Sequence, residues 1–286
     1  MATVIESEIG LRIEGDRAHY VSPEGQHFEM SVQDLLAAAQ QQLLPACSGL
    51  LPRAVRAVFR RGRFSIWAAE FSPAVRPVKW IVEGSPVPFG KGVQYGAYNI
   101  AMPYVVLLAV FDGATLSGSN ECFFRTEPLS SMDDELLYPA LLNVSRIEPQ
   151  EGHSLSWVCT QFLDRNAIEA ETDPARRMSI GWRLLCETLF DGSFNLSSEH
   201  HEGASWYGQS KSLDKRLATI DAWDAATKED PSFIFDIPFH KTGHTLAQVA
   251  ERIFKNLNQG QGPQPVTVDD LARLLINHTT APRKPR

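Results

Sequence analysis

The spacing of apolar residues changes along the chain, and the changes divide it into elements. From Arg56 to Arg125 the period is two: Val58, Phe64, Ile66 and Ala68 interleave with polar or small residues, as half-buried strands require. Arg61-Gly62-Arg63 predicts a hairpin turn, and Val78–Val82 the next strand. Gly84 to Gly96 (GSPVPFGKGVQYG) reads as a Pro/Gly-rich connection. Tyr104–Phe111 (YVVLLAVF) is apolar almost throughout, which predicts a strand buried on both faces. Asp112-Gly113 closes it with a strong turn dipeptide, and Glu121–Arg125 returns as its neighbour. Together these segments predict an antiparallel meander of about four or five strands.

The flanking regions read differently. The first thirty residues hold strand-like pieces at Leu11–Ile13 and His19–Val21, separated by Gly and Pro turns. Ser31 is an N-cap residue, and it predicts a helix over Ser31–Leu44 that stops before Pro45. After Asp173-Pro174, a cap followed by proline at the first helical position, a helix should run to about Phe190. A second helix is expected from Ser212 to Pro231, with Leu213, Leu217, Ile220 and Trp223 as its apolar stripe. Phe233–Ile237 reads as a late strand. Thr245 caps a further helix bearing Leu246, Val249, Ile253, Phe254 and Leu257 in register, and a linker from Gln259 leads to a short helix at Thr267–Asn277. The expected organisation is a β extension over 1–30, one α+β domain over 31–258, and a tail over 259–286.

Composition narrows the class. The 286 residues are 43% hydrophobic and 21% charged, as in globular proteins. A net charge of −7 argues against nucleic acid as a partner, since such proteins carry a basic footprint. The longest apolar run, eight residues from Tyr104 to Phe111, is too short to span a membrane. The N-terminal sequence has neither the basic nor the apolar region of a signal peptide. Four cysteines without CxxC spacing suit reduced thiols rather than a disulfide framework or a zinc site. The expected location is the cytoplasm.

Chemistry is expected at Leu136–Leu163 (LLYPALLNVSRIEPQEGHSLSWVCTQFL), the seam between strands and helices. It carries Asn143 and then Cys159, flanked by Trp157, Val158 and Phe162. By residue type alone Cys159 reads equally as a buried thiol on an alternating strand, because free cysteine is among the most buried residues. Asn143 is by default a turn residue. Cys186, on a helix face with Trp182, reads as core, as do Cys47 and Cys122. A second polar segment, SSEHHEGASWYG, places His200, His201, Glu202 and Trp206 close together. Adjacent histidines lack the i, i+4 pairing of a zinc helix. The segment is either a substrate or partner loop or a solvated surface. Lys241-Thr242-Gly243-His244-Thr245 lacks the glycine spacing of a phosphate loop and reads as a helix cap. No motif for a cofactor is present, and none is expected.

The order helix, antiparallel meander, Cys-bearing loop, helices resembles the ubiquitin-conjugating-enzyme fold. Tyr138-Pro139, then Leu142-Asn143-Val144, a loop, and Trp157-Val158-Cys159 resemble the prokaryotic conjugating-enzyme-like proteins of family D, which include protein B of the PRTRC plasmid systems. The similarity covers roughly Ser31 to Phe190. The His-Pro-Asn triplet of the eukaryotic enzymes reads Leu141-Leu142-Asn143 here, and Cys159 lies sixteen positions after Asn143, a longer spacing than in those enzymes. The resemblance implies that Cys159 carries a ubiquitin-like modifier as a thioester, received from an activating enzyme and passed to a protein target. It further implies that Asn143 stabilises the tetrahedral species; Asp164 is a candidate for positioning the incoming amine. The alternative is a catalytically silent conjugating-like module that binds partners in a bacterial or mobile-element operon, and a third reading is a different α+β enzyme that uses the His200–Glu202 loop.

Overall fold

The structure is a computed structural model and describes residues 10–21, 26–35, 51–85, 92–147 and 153–259. Most of the helix expected over Ser31–Leu44, Cys47, and the terminal helix expected at Thr267–Asn277 lie outside these residues. The chain divides into two compact units, Met1–Ala46 with Gln261–Arg286, and Cys47–Gly260. The division falls some fifteen residues beyond the boundary expected at residue 30.

In the first unit, β1 (Gly10–Glu14), β2 (Arg17–Val21) and β3 (His27–Ser31) form an antiparallel sheet. Gly15, at φ 60°, turns β1 into β2. Ser31 closes β3, and its hydroxyl accepts from the Asp34 amide at 2.9 Å, so it caps the helix that begins at 32. Ala18, Met30 and Leu35 make the unit's small core.

The second unit begins with the hairpin β4 (Val55–Arg61) and β5 (Phe64–Phe71), turned at Gly62 as the sequence predicts. Next come β6 (Ala74–Ile81), β7 (Tyr95–Met102) and β8 (Tyr104–Asp112). β5 pairs with β8 up to Phe71↔Val105, and β6 pairs with β7 from Ala74↔Met102. One long hairpin is therefore broken across both arms at the same level, by Ser72-Pro73 on one side and Pro103 on the other. Proline donates no ladder bond, and the two halves belong to different sheets. This corrects the simple meander: Val78–Ile81 lies in a second sheet, and a strand, Tyr95–Met102, starts inside the end of the expected Gly84–Gly96 connection and runs on through residues to which no element had been assigned.

β9 (Thr115–Leu116) and β10 (Glu121–Arg125) both pair with β8. β11 (Glu135–Leu137), β12 (Val144–Ser145) and β13 (Trp157–Val158) complete the near side of the main sheet. Its order is β12-β13-β10-β8-β5-β4, antiparallel throughout. The helical half contains α1 (Arg165–Glu169), α2 (Pro174–Phe190), α3 (Ser197–His201), α4 (Trp206–Ser210), α5 (Ile220–Glu229) and α6 (Leu246–Gln259). β14 (Ser193–Phe194) runs parallel to β6 in the second sheet, and β15 (Lys241–Thr245) pairs with β11.

β8 is buried on both faces because each face has its own cover. Val105, Leu107, Ala109 and Phe111 join α2 and the second sheet in one core, which contains Trp182, Leu185 and Trp80. Val106, Leu108 and Val110 face α6, through Val249, Ala250, Ile253 and Phe254. α2 has the bounds its Asp173-Pro174 cap implies, and the Asp173 carboxylate accepts from the Arg176 amide at 2.8 Å.

Two expectations in the helical half are corrected. The helix expected from Ser212 begins at Ile220, because Thr219 is extended and its hydroxyl caps Ala222; Asp214 caps a separate 3-10 turn over Lys215–Leu217. The late strand expected at Phe233–Ile237 is a 3-10 turn, Pro231–Phe235. Asp230 caps it and Pro231 occupies its first position. α5 covers the free edge of β7: Asp224 accepts from the Asn99 amide, Thr227 accepts from the Ala101 amide, and Trp223 donates to the Ala101 carbonyl. The fold is thus mixed α+β, an antiparallel sheet packed between helices.

Candidate functional site

The segment Leu136–Leu163 folds back on itself. Val144 pairs with Val158 and Ser145 with Trp157, and the Cys159 amide donates to the Asn143 carbonyl at 2.9 Å. The sixteen-residue spacing is therefore the length of a hairpin excursion, and its two ends meet. Asn143 and Cys159 share the wall of a cavity of about 740 Å³ with Phe162, Asp164, Glu187, Thr188, Asp191, Asn195 and Ser197, among others. All three candidate catalytic residues, Cys159, Asn143 and Asp164, line it.

Each is held by ordinary local chemistry. The Asn143 Nδ2 donates to the Thr188 carbonyl in the last turn of α2 at 3.3 Å, while its Oδ1 is buried without a partner. That bond orients the amide, since only the nitrogen end donates, and a second Nδ2 proton remains. Cys159 follows β13 directly and is 7% exposed. Its Sγ lies 3.9 Å from the Ser197 Oγ, which in turn donates to the Gln161 Oε1 at 3.3 Å. With its own proton directed to Gln161, the Ser197 oxygen is an acceptor for the Cys159 S–H. Asp164 caps α1, accepting from the Ala167 amide at 3.1 Å. Phe162, three residues after the thiol, is 62% exposed at the cavity wall.

The other thiols differ. Cys122 is fully buried, and desolvation pushes its pKa far up. Burial pushes the Cys186 thiol up to about 12, reinforced by Asp191 and Glu187. Neither is a nucleophile at neutral pH.

The His200–Trp206 segment is helical rather than a loop at its two ends. His200 and His201 end α3 with ring centroids 4.8 Å apart, and both are exposed. Glu202 carries a buried Oε2 without a partner, and desolvation raises its pKa. Trp206 is buried and stacks on Tyr138 with centroids 3.4 Å apart. These four residues do not line the Cys159 cavity; the longer polar stretch Ser197–Gly208 reaches it through its first residue, Ser197. Among the described residues, no group of three His, Cys, Asp or Glu side chains is placed to hold a metal ion.

Ser197, Asn195 and Gln161 are site residues that the residue pattern did not single out. The signal for Ser197 was present in the polar segment it opens, but the histidines there drew the chemistry away from it. Comparison with known families, curated proteins and solved structures finds no match. No helix among the described residues is long and apolar enough to cross a membrane.

Proposed function

We propose that the protein is a conjugating enzyme for a ubiquitin-like modifier, with Cys159 as the acyl carrier. The observation that carries the reading is the meeting of Asn143 and Cys159, distant in sequence, on the wall of one cavity. The resemblance of Leu142-Asn143-Val144 and Trp157-Val158-Cys159 to the family D proteins supplies the reaction class. In transthiolation the Cys159 thiolate attacks the modifier's terminal thioester carbon on the activating enzyme. An S–C bond forms at Cys159, the S–C bond to the activating enzyme breaks, and that thiolate leaves. In the second step a target amine attacks, the C–N bond forms, the C–S bond breaks, and Cys159 regains its thiol. The second Nδ2 proton of Asn143 is the donor for the tetrahedral oxyanion. Asp164 is the carboxylate at hand for the amine.

The burial of Cys159 and its contact with Ser197 also favour a second reading, a non-catalytic module in which the thiol is packing. Charging separates the two. Incubation with a bacterial ubiquitin-like modifier, its activating enzyme and ATP should give an adduct that reductant removes. Cys159→Ala should abolish the adduct, and Cys159→Ser should replace it with an ester stable to reductant. An adduct that persists in Cys159→Ala sinks the assignment.

A further inference from the structure

β4 is the last strand of the main sheet, and its outer edge takes no part in the Cys159 chemistry. Arg63 directly precedes β5, and its carbonyl accepts from the Gly113 amide at 2.9 Å. Odd-numbered residues of β5 therefore bond to β8, and even-numbered ones to β4. Phe64, Ile66 and Ala68 accordingly bond to Arg61, Phe59 and Ala57. Val58 and Arg60, between them, turn both N–H and C=O away from the sheet. Among the described residues no strand or side chain meets these groups. The edge of β7 is treated differently: there Asp224 and Thr227 of α5 accept from the outward amides. A bulge between Val55 and Ala57 marks the start of β4, and from Ala57 to Arg61 the strand is regular.

The same edge is basic in an acidic protein. The chain carries a net charge of −7, yet no Asp or Glu occurs between Asp34 and Glu70, where Arg53, Arg56, Arg60, Arg61 and Arg63 all fall. Arg61 is held by Glu251 at 2.6 Å and Arg63 by Asp112 at 2.8 Å, while Arg56 reaches Glu70 only at 3.9 Å. Arg53 and Arg60 are exposed and have no acidic partner among the described residues. Arg60 shares the face of Val58, and Arg61 shares that of Phe59 beside α6, so positive charge flanks the edge on both faces.

We propose that the outer edge of β4 is a docking site for an extended, acidic segment of a partner protein, which adds to the main sheet as a further strand. The backbone groups of Val58 and Arg60 supply the ladder bonds, and the arginines select the partner. A second copy of this chain is a poor occupant. Antiparallel pairing about Val58 sets Arg60 against the other copy's Arg56, and like charges directly opposed repel. Charge on an edge strand also serves simply to prevent pairing, and a single lysine or arginine answers that need. Five arginines within eleven residues do more, making a field that draws an acidic strand. None of β4 lines the Cys159 cavity, so the proposal stands apart from the conjugating role.

The test uses the full chain and a labelled synthetic peptide of alternating valine and glutamate. Two control peptides accompany it: one has lysine for glutamate, and the other is methylated on its backbone nitrogens, which keeps the charge and leaves no amide to donate. In anisotropy titrations the glutamate peptide should bind about tenfold more tightly than either control. Arg60→Glu should weaken it by about tenfold. When the wild type is saturated, hydrogen exchange of the Val58 and Arg60 amides should slow by about tenfold, while the Phe59 amide, already bonded within the sheet, changes less. Equal binding of the methylated peptide, or binding without protection at Val58 and Arg60, means charge attraction alone and overturns strand addition. Binding of none of the peptides leaves the arginines as guards of the edge and overturns the proposal, as does tighter binding of a single-stranded RNA oligonucleotide.

Discussion

At the scale of single residues, the amide of Asn143 is the side chain whose orientation matters most to the proposed chemistry. Its bond to the Thr188 carbonyl uses one Nδ2 proton and leaves the other, and the residue lines the cavity wall. Asn143→Ala removes a donor of the oxyanion type, a change that costs about 10²–10³ in rate where such a donor acts. The fold loses one partly buried hydrogen bond, about 1 kcal/mol. Discharge of a preformed Cys159 thioester to free lysine should therefore slow by about two orders of magnitude while the variant still unfolds cooperatively. Unchanged discharge would remove Asn143 from the mechanism. Ser197 acts on the thiol itself. Ser197→Ala removes the hydroxyl 3.9 Å from Sγ, and Cys159 alkylation at fixed pH should speed up several-fold while the variant still unfolds cooperatively; an unchanged alkylation rate would remove Ser197 from the neighbourhood that controls the thiol.

At the scale of elements, the ends are set by short-range chemistry that the sequence displays. α6 starts with a reciprocal box: Thr245 Oγ1 accepts from the Gln248 amide, and Gln248 Oε1 accepts from the Thr245 amide. Thr245→Ala should cost about 1 kcal/mol in urea unfolding. Gln248→Ala should cost less than an additive amount in the Thr245→Ala background, since the two bonds close one ring. Caps of this kind made α2 and α6 legible from residues alone; alternation made β5 legible, the unbroken apolar run made β8 legible, and the Asp112-Gly113 turn made β10 legible as its neighbour. Other features were illegible because they depend on what lies opposite. The break at Pro73 and Pro103 separates two sheets only because the prolines face each other across a hairpin. Thr219 ends one run and caps the next, so an apolar stripe that looks continuous from Leu213 to Trp223 is two pieces. The meeting of Asn143 and Cys159 needs β12 and β13 to pair across an excursion no local pattern specifies. Glu121 sits in an apparently ordinary strand, ECFFR, and only the fold reveals that its carboxylate is buried and accepts from the Leu155 and Ser156 amides.

At the scale of the molecule, the central sheet of the second unit has no solvent face. Among the described residues, one side is closed by α2 and the second sheet and the other by α6 as the sole helix, and α6 is the last described element. Phe64, Ile66, Ala68, Val106, Leu108, Val110 and Phe123 all look toward it and are at most 8% exposed. Removing α6 would present that whole row to water, and each large side chain uncovered costs about 1.5–3 kcal/mol. Several such side chains together exceed the ~5–15 kcal/mol that stabilises a domain. The helix also supplies Arg252 and Asn256 to the His153 carbonyl, so its loss would free the turn that leads into β13. A chain ending at Thr245 should therefore bind a hydrophobic dye, lose cooperative thermal unfolding, and expose Cys159 to alkylation at a rate near that of the unfolded chain. If the truncated chain instead melted cooperatively with Cys159 still protected, the closing of the sheet and the covering of the thiol would have to reside in α2 and the second sheet alone.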